Sequence, residues 1–343
     1  MKIIFDERQL LHAPKSYFRQ GGIVPHPEQP QRATLLRDAL VGAGHGPATP
    51  EDHGRRPLEA VHSPDYVAFF ETAWERWAAE KGADLPAVPN YHSFRGFSRV
   101  PKGIVGQLGY YSSGTSCPII EGTWPAIYWS AQSAVDAAQR LVEGEEHLVY
   151  ALCRPPGHHA HADCSNGFCF FNNAAIAAQH LRRRFSRVAL VDVDTHCGDG
   201  SLDLFYRRGD VFFGSIHTDP ENYTPFFLGY PDETGEGAGA GCSLNVTLAP
   251  GSNQATVLAR FEELMAAVEG FAPEALVVSL GLDMAEDDPL SLLGMTTSGF
   301  EAMARRLVGL GLPTVLVQEG GYLGPSLANN AVAFLAAAEA ARS

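Results

Sequence analysis

Three groups of residues in this sequence have side chains that bind metals or transfer protons. Residues 154–161 read Arg-Pro-Pro-Gly-His-His-Ala-His, residues 192–196 read Asp-Val-Asp-Thr-His, and Asp283 and Tyr322 each follow a further hydrophobic run. Carboxylates and imidazoles can hold a divalent ion, paired histidines can move protons, and a tyrosine hydroxyl can stabilise an oxyanion. This combination is typical of a metal-assisted amide hydrolase.

The Asp-Val-Asp-Thr-His motif supplies the expected metal ligands. Alternate residues of a strand share a face, so Asp192 and Asp194 should point the same way, with His196 continuing the register. Two of these could bind one ion, and Asp283 would add a ligand from another strand end. Such a set keeps positions open for water and substrate, as catalytic sites do. The motif alone favours a solvated turn, but the further aspartate and histidines at equivalent strand ends favour a metal site.

His158 and His159 follow two prolines and a glycine, which should hold the pair rigidly. Adjacent side chains diverge, so each histidine needs its own orienting partner, and Asp192 and Asp199 are the candidate carboxylates. A carboxylate in this position fixes the tautomer and stabilises the imidazolium. Packing alone does not explain two histidines in tandem after a double proline.

Tyr322 follows the Glu-Gly-Gly of residues 319–321, directly after a predicted strand. The two glycines allow a turn that projects the phenol over the sheet edge. A hydroxyl there can donate to a substrate carbonyl as its oxygen becomes anionic. His161 and His217 lack comparable support, and we predict structural or rim positions for them.

Hydrophobic runs that alternate with helical stretches should position these motifs. The runs lack polar alternation, as expected of strands buried on both faces of a parallel sheet. They are His147–Cys153, Val188–Asp194, Val211–His217, Ala275–Gly281 and Pro313–Glu319. Helical periodicity covers Asn172–Arg184, Gln254–Glu269, Ser298–Leu310 and Leu327–Ala341. The alternation predicts an α/β fold, with a central parallel sheet flanked by helices and functional loops at the carboxyl ends of its strands.

Two long stretches, Lys81–Pro125 and Thr218–Cys242, interrupt this rhythm and are rich in Gly, Pro, Ser and aromatic residues. Loops of such length usually carry function or an interface. With 343 residues and 45% hydrophobic composition, the chain can bury a large core, and nothing in it reads as a linker. We therefore predict that residues 1–343 form one domain with a long inserted loop at about 81–125.

Composition narrows the partners and the compartment. A net charge of −14 disfavours nucleic acid and would attract a cationic substrate. The six cysteines show no CxxC pairing, so reduced thiols are expected. The start of the chain does not read as a signal peptide, and no apolar run reaches membrane-spanning length. These features predict a cytoplasmic protein without a membrane partner.

Taken together, the motifs resemble the histone deacetylase superfamily, which has the arginase-like α/β fold. Within it, the chain looks most like the bacterial acetylpolyamine amidohydrolase branch. The resemblance runs over most of the chain and is carried by Arg154–Ala160, Gly167–Asn173, Asp192–Gly200, Ser279–Asp283 and Glu319–Tyr322.

The resemblance implies a zinc site formed by Asp194, His196 and Asp283. Fe²⁺ suits similar ligands and remains an alternative. The resemblance also implies a structural K⁺ or Na⁺ ion near Asp192, Asp194, His196, Ser215 and Ile216.

The catalytic roles follow from the same resemblance. It implies that Asp192 orients His158, that Asp199 orients His159, and that Tyr322 polarises the acetyl carbonyl. In the mechanism we expect, water attacks an acetamide carbonyl at the metal, and His159 accepts its proton and later delivers one to the leaving amine. His158 stabilises charge around the tetrahedral intermediate. The products are acetate and a free amine.

Substrate access is implied as well. Phe168, with Gly167, should line a substrate tunnel, and Lys81–Pro125 resembles an insertion that builds a homodimer interface and narrows the site mouth. We expect the aromatic residues of this segment to pack against a second copy of it. They include Tyr91, Phe94, Phe97, Tyr110 and Tyr111.

The chain departs from the family pattern at three places. Cys197 stands where the family usually has a second histidine, Thr195 stands where a bulky residue is common, and we expect an altered environment behind the metal. Polyamine-selective relatives can carry an acid near position 116 that meets the distal ammonium, whereas Ser112–Cys117 contains none. The candidate substitutes are Glu121, Asp219 and Glu221.

The expected function is zinc-dependent hydrolysis of small N-acetylated amines such as acetylpolyamines. Deacetylation of acetyl-lysine in proteins or peptides, or hydrolysis of another small amide, is the alternative within the same chemistry. A cysteine-dependent amidohydrolase would use Cys153, Cys169 or Cys197 with a nearby histidine. The intact set of motif residues disfavours a silent metal-binding module, and no strand leads into the glycine-rich run 235–241, which disfavours a dinucleotide site.

Overall fold

The framework of the protein is a parallel β-sheet. In the computed structural model, which describes residues 1–94 and 99–342, eight strands form this sheet and two form a separate antiparallel hairpin. In chain order the strands are β1 (Lys2–Ile4), β2 (Ser16–Arg19), β3 (Gly22–Pro25), β4 (Gly46–Ala48), β5 (Leu148–Ala151), β6 (Val188–Asp192), β7 (Val211–Thr218), β8 (Ser243–Leu248), β9 (Ala275–Leu280) and β10 (Thr314–Gln318). The sheet order is β4-β1-β5-β10-β9-β6-β7-β8, and β2 pairs with β3.

Helices cover both faces of the sheet. They are α1 (Pro30–Gly42), α2 (Arg56–Glu59), α3 (Pro64–Lys81), α4 (Ile104–Tyr110), α5 (Thr123–Glu143), α6 (Asn173–Leu181), α7 (Asp199–Phe205), α8 (Gln254–Phe271), α9 (Thr297–Val308) and α10 (Leu327–Ala341). Helices α1, α8, α9 and α10 share one hydrophobic cluster with the strands, and α5, α6 and α7 share the other. The predicted α/β fold is confirmed.

The central strands are apolar on both sides because both of their faces are covered. Every residue of β5, β6, β9 and β10 is buried. Their parallel pairing brings the carboxyl ends to one edge of the sheet, where Asp192 lies opposite Ser215 of β7 and Ser279 of β9. This edge therefore collects the polar residues that follow each strand.

Element boundaries and several elements differ from the sequence prediction. Helix α10 has the predicted bounds, whereas β6 ends at Asp192 instead of Asp194. Local pattern did not indicate β1 or the two edge strands β4 and β8. Helix α5 was not predicted, and its first residues fall in the segment that was predicted to be a loop.

The prediction of one long inserted loop at 81–125 is wrong in its secondary structure. The segment contains α4 and the first residues of α5. Ile104, Leu108 and Tyr111 are buried in a third hydrophobic cluster, which also includes Tyr66 and Phe70 of α3. Much of the segment thus packs against its own chain.

The other long stretch, 218–242, is mainly irregular, with a short 3₁₀ turn at Gly237–Gly239 before β8. Among the residues described, no helix combines the length and apolar composition required to cross a bilayer.

Candidate active site

The Asp-Val-Asp-Thr-His motif forms tight turns as the chain leaves β6. Asp192 Oδ1 accepts a hydrogen bond from the Asp194 amide at 3.0 Å, and Asp194 Oδ1 accepts one from the His196 amide at 2.9 Å. Such bonds from a carboxylate to the amide two residues later stabilise turns. Since β6 ends at Asp192, these turns and not the strand pleat position Asp194 and His196.

Asp194, His196 and Asp283 come together at this edge as a buried group. One ligand atom from each lies within 4.8 Å of the others. His196 Nδ1 is 2.9 Å from Asp194 Oδ1 and 3.3 Å from Asp283 Oδ2. The Asp283 Oδ2 atom is buried and has no hydrogen-bond partner among the described residues. A buried carboxylate oxygen without a donor is costly, and a divalent cation would compensate it.

The space around this group also suits an ion. A Cβ atom at position 320 would collide with carboxylate oxygens of both Asp283 and Asp194. The glycine at this position therefore leaves the carboxylates room to converge. Two carboxylates and one imidazole form a donor set that zinc accepts with further positions open. The residues fit a catalytic divalent metal.

The carboxylates of Asp194 and Asp283 meet in this group, and both are buried. Burial and the negative charge of Asp194 raise the pKa of Asp283 to about 7. Burial also disfavours the Asp194 carboxylate, but the positive charges of His158 and His196 outweigh burial and lower the pKa of Asp194. A divalent cation would favour the ionised form of both carboxylates.

The two tandem histidines have separate carboxylate partners. His158 Nδ1 is 2.9 Å from Asp192 Oδ2, and His159 Nδ1 is 2.6 Å from Asp199 Oδ1. The ring centroids of the two histidines are 4.0 Å apart. The structure thus brings together the pairs that the sequence suggested.

The environments of the two histidines differ in charge. Burial disfavours the imidazolium of His158, but the carboxylates of Asp194 and Asp192 outweigh burial and raise the pKa of His158 to about 10. Burial and the adjacent His158 charge lower the pKa of His159 to about 4. A cation beside Asp194 would offset part of the carboxylate field at His158 and so lower the pKa of His158.

Two residues without a predicted role hold the backbone of the histidine pair. Glu319 is fully buried, and its Oε2 accepts hydrogen bonds from the amides of Gly157 at 2.6 Å and His158 at 3.1 Å. Asn172 caps α6 through the Ala175 amide, and its Nδ2 donates to the His158 carbonyl at 3.3 Å. The position of Glu319 at a strand end, next to two glycines, was a usable signal. The role of Asn172 depends on a contact with a residue 14 positions earlier, which no periodicity in the sequence indicates.

Tyr322 and Phe168 line a cavity of about 260 Å³ that leads to the histidines. Their ring centroids are 6.1 Å apart. Gly167 also lines the cavity, and a Cβ atom there would collide with the ring of His159. The amide of Tyr322 donates to Asp288 Oδ2 at 2.6 Å. A cavity of about 650 Å³ elsewhere contains none of these residues, so volume does not identify the site.

Tyr223 also lines the cavity that leads to the histidines, and no pattern in the sequence indicated it. It belongs to the 218–242 stretch, and its ring stacks on His196 with centroids 5.1 Å apart and planes 19° apart. Its hydroxyl donates to the Leu290 carbonyl. The stack fixes one side of the imidazole of the proposed metal ligand.

The surroundings of His161 differ from the expectation, whereas those of His217 agree with it. His161 does have carboxylate partners, since its Nδ1 is 2.8 Å from Asp203 and its Nε2 is 3.4 Å from Asp199. The view that it lacks such support is wrong. His217 is fully buried between the Ser215 hydroxyl and the Gly229 carbonyl, which is a structural position.

The residues of the expected monovalent-cation site lie near one another. Asp192 and Ser215 occupy paired positions of β6 and β7, with Ile216 next in β7. Asp194 and His196 follow in the turns described above. A K⁺ or Na⁺ ion at this place stays a prediction.

The cysteine alternative is disfavoured by the surroundings of the thiols. Cys153, Cys169 and Cys197 are buried, and burial raises the pKa of each well above its ordinary value. A nucleophilic cysteine needs an accessible thiolate. Cys197 Sγ lies 3.8 Å from Asn245 Oδ1 and is not part of the Asp194 group.

Comparison with known proteins agrees with this architecture. Residues 26–338 match the histone deacetylase domain family. The acetylpolyamine amidohydrolase of Burkholderia pseudomallei (strain 1710b) is 43% identical over 339 residues, covering 97% of both chains. That of Mycoplana ramosa is 40% identical over 332 residues, covering 96% of this chain and 97% of the relative.

Solved structures give the same result. The crystal structure of an acetylpolyamine aminohydrolase from Burkholderia pseudomallei has a TM-score of 0.96 at 42% identity and covers 100% of both chains. The HDA15 HD domain has a TM-score of 0.79 at 27% identity, with 98% of this chain and 88% of that chain covered.

The buried Asp194–His196–Asp283 group generates a first prediction. Purified protein should bind one catalytic divalent ion per chain, and chelation should abolish activity that the metal then restores. Asp283→Asn should lower metal content, whereas Asp136→Asn, which alters a buried carboxylate paired with Arg140 and His53, should not. Elemental analysis measures the content. Full activity in rigorously metal-free protein would rule out the metal mechanism.

Proposed function

The chain belongs to the histone deacetylase domain family, and we propose that it is a zinc-dependent amidohydrolase that removes acetyl groups from small N-acetylated amines. The observation that carries this proposal is the buried Asp194–His196–Asp283 group beside two histidines with separate carboxylate partners. The products would be acetate and a free amine. Acetylpolyamines are the first candidates, because the relatives reported above are named for them.

Asp194, His196 and Asp283 would hold the zinc ion. When bound, zinc supplies a Lewis acid for the acetamide carbonyl and lowers the pKa of water. The protein contributes a dry site, and the turns after β6 fix two of the three donors. Fe²⁺ would suit the same donors, and the metal found in purified protein would discriminate between them.

His159 is the proposed proton carrier. Its Nδ1 faces Asp199, so Nε2 is the nitrogen available to take a proton from the attacking water. The neutral form that burial favours is the form that a general base requires. Once protonated, the same nitrogen can deliver a proton to the leaving amine.

His158 is the proposed electrostatic partner. Its Nδ1 faces Asp192 at 2.9 Å, and nearby carboxylates favour its imidazolium form. A fixed positive charge next to the reacting carbonyl stabilises negative charge that develops in the tetrahedral intermediate. The two histidines therefore divide the work of charge stabilisation and proton transfer.

Tyr322 would complete the stabilisation of the oxyanion. Its hydroxyl is on a side chain that lines the cavity, while its backbone is anchored to Asp288. Phe168 lines the same passage and would pack against the methylene chain of a substrate. An unbranched acetylated amine matches such a passage better than a folded protein does.

Replacing the Tyr322 hydroxyl tests the oxyanion role. Tyr322→Phe should lower kcat by at least ~10² with little change in KM, because the hydroxyl would act mainly in the transition state. Metal content and the free energy of unfolding should remain near those of the parent. Tyr150→Phe is the control, since it removes a buried hydroxyl bonded to Gln318 away from the cavity. A Tyr322→Phe enzyme with nearly normal kcat would remove this residue from the chemistry.

A substrate panel tests the proposed function itself. N-acetylputrescine, N-acetylcadaverine and acetylspermidine should each have a kcat/KM at least about tenfold above that of an acetyl-lysine peptide, since a tenfold difference needs only about 1.4 kcal/mol of differential transition-state binding. The measurement is acetate release under one condition. Preference for the peptide would favour a protein deacetylase, and no release from any acetamide would refute the proposal.

A homodimer is part of the same proposal. Within the 81–125 segment, Tyr91 is 78% exposed and Phe94 is 94% exposed, and large apolar side chains at such exposure mark interaction surfaces. Tyr111, which we expected at the interface, is buried in its own chain. The expected role of Phe97 concerns a residue outside those described.

Light scattering at micromolar concentration tests the dimer. The parent should have twice the mass of the chain, and Tyr91→Ser with Phe94→Ser should shift it towards the monomer. The same change at Phe227 and Ile23, which are exposed outside the segment, is the control. A strictly monomeric parent would contradict the dimer.

A cytoplasmic location also belongs to the proposal. All six cysteines lie within the described residues, none of them forms a disulfide, and five of them are buried. Thiols without disulfides are typical of reducing compartments.

A further inference from the structure

We propose that Arg19 determines which small acetylated amines this enzyme prefers, by favouring a far end that carries a carboxylate over one that carries an ammonium. The far end is the end opposite the acetamide. The inference rests on the proposed amidohydrolase function, and within small acetamides it ranks those that end in a carboxylate above the acetylpolyamines. The relatives' names suggest an acetamide on an aliphatic amine, whereas Arg19 would determine which charge is preferred at the far end of the substrate.

The β2–β3 hairpin fixes Arg19 at the mouth of the active-site cavity. Arg19 is the last residue of β2 and pairs with Gly22. The ring of Tyr17, two residues earlier, meets that of Phe168 edge-on at 5.4 Å. The Thr115 hydroxyl donates to the Phe18 carbonyl at 3.4 Å. The hairpin is thus attached both to the cavity wall and to the segment that follows α4.

The described residues that line this cavity include Arg19 but no aspartate or glutamate. Ser116 lines the mouth at the place where an acid would meet a distal ammonium. The carboxylates at the bottom of the site are engaged by histidines or belong to the metal group. Within the described part of the chain, a substrate ammonium therefore meets a guanidinium at the mouth and finds no carboxylate on the cavity wall.

The three candidate substitutes for the missing acid do not line the cavity. Glu121 lines the separate 650 Å³ cavity. Asp219 and Glu221 lie next to each other in the loop after β7, where Asp219 Oδ1 accepts the Glu221 amide at 3.0 Å. Their charges act on Tyr230, further along that loop. Asp219 and Glu221 are the alternative residues that could bind the ammonium of a cationic substrate, so the experiment below includes Glu221.

Arg19 shares its cavity with the reaction site. Arg19, Tyr223 and His196 all line that cavity, and Tyr223 stacks on His196 with ring centroids 5.1 Å apart. Arg19 forms no ion pair with the other described residues, so its charge is free for a ligand. A guanidinium can bind a carboxylate through paired hydrogen bonds.

The net charge of the protein attracts a cationic substrate, whereas the charge of Arg19 at the mouth repels one. The net charge of −14 attracts cations over long distances. Arg19 acts at contact distance, after the substrate has arrived. Added salt weakens the interactions of exposed charges. The preference due to Arg19 should therefore be largest at low ionic strength.

Three acetamides of similar length separate the charge of the far end from the chemistry. N-acetylputrescine ends in an ammonium, N-butylacetamide is neutral, and 4-acetamidobutanoate ends in a carboxylate. In the parent enzyme we expect kcat/KM for the carboxylate to exceed that for the ammonium by about tenfold at low salt, the size of one charge contact at a partly exposed site. The neutral amide should fall between them.

Variants of Arg19 should change this order mainly through KM. Arg19→Gln should reduce the difference to about twofold, Arg19→Glu should reverse it, and Arg19→Lys should preserve its direction, as charge contacts predict. Arg305→Gln makes the same change in net charge on an exposed face of α9 and should leave the order unchanged. The neutral amide should respond little to any of these variants, which excludes a general loss of folding.

Two outcomes would overturn the role of Arg19 while sparing the proposed function. One is an unchanged substrate order in Arg19→Glu, with all three amides still hydrolysed. The other is a loss of N-acetylputrescine turnover in Glu221→Gln, with Arg19→Gln behaving like Arg305→Gln, because the loop after β7 would then read the far end. No turnover of any acetamide by the parent would refute the amidohydrolase function and this proposal together.

Discussion

The burial of like charges at one edge of a parallel sheet is the constraint on which the rest of the site depends. Asp192, Asp194 and Asp283 lie at the carboxyl ends of neighbouring strands with almost no access to water. Repulsion between ionised carboxylates in such a place is severe. Two histidines offset part of this repulsion. Asp283 Oδ2 nevertheless has no hydrogen-bond partner among the described residues, and a bound divalent cation would compensate its charge.

Because the charges are buried, small displacements would be expensive, and the surrounding backbone is correspondingly well anchored. Glu319 binds the amides of Gly157 and His158, and Asn172 holds the carbonyl side of the same turn. Glycine at position 320 keeps the carboxylates free of a side chain. The contacts of Glu319 join residues 162 and 161 positions apart in the sequence, so the fold preorganises the site before any ligand arrives.

The buried site and its mouth differ in how strongly salt screens their charges. At the bottom, water is excluded, and interactions between charges are strong and insensitive to salt. At the mouth, Arg19 is exposed, and its influence falls with ionic strength. The match to the histone deacetylase domain family covers residues 26–338, which include the motif residues of the buried site but not Arg19. The selection among acetamides that we propose would depend on Arg19 in the β2–β3 hairpin, which lies outside those motifs.

The sequence by itself determined the fold class and the residues that carry the chemistry, because both are written in local patterns. Apolar runs without alternation indicate buried parallel strands, and such strands deliver the residues after them to one edge. From this, His158, His159 and Asp283 could be assigned to one place without coordinates. The bounds of α10 followed from its periodicity alone.

Only the tertiary structure decided the contacts between distant segments. The stacking of Tyr223 on His196, the support from Glu319 and Asn172, and the position of Arg19 over the cavity each join residues with no common local pattern. The sequence pattern of the 81–125 segment predicts a loop for the same reason, although the segment contains α4 and a buried Tyr111. Packing against other parts of the chain determines these features, and local periodicity carries no record of which parts will meet.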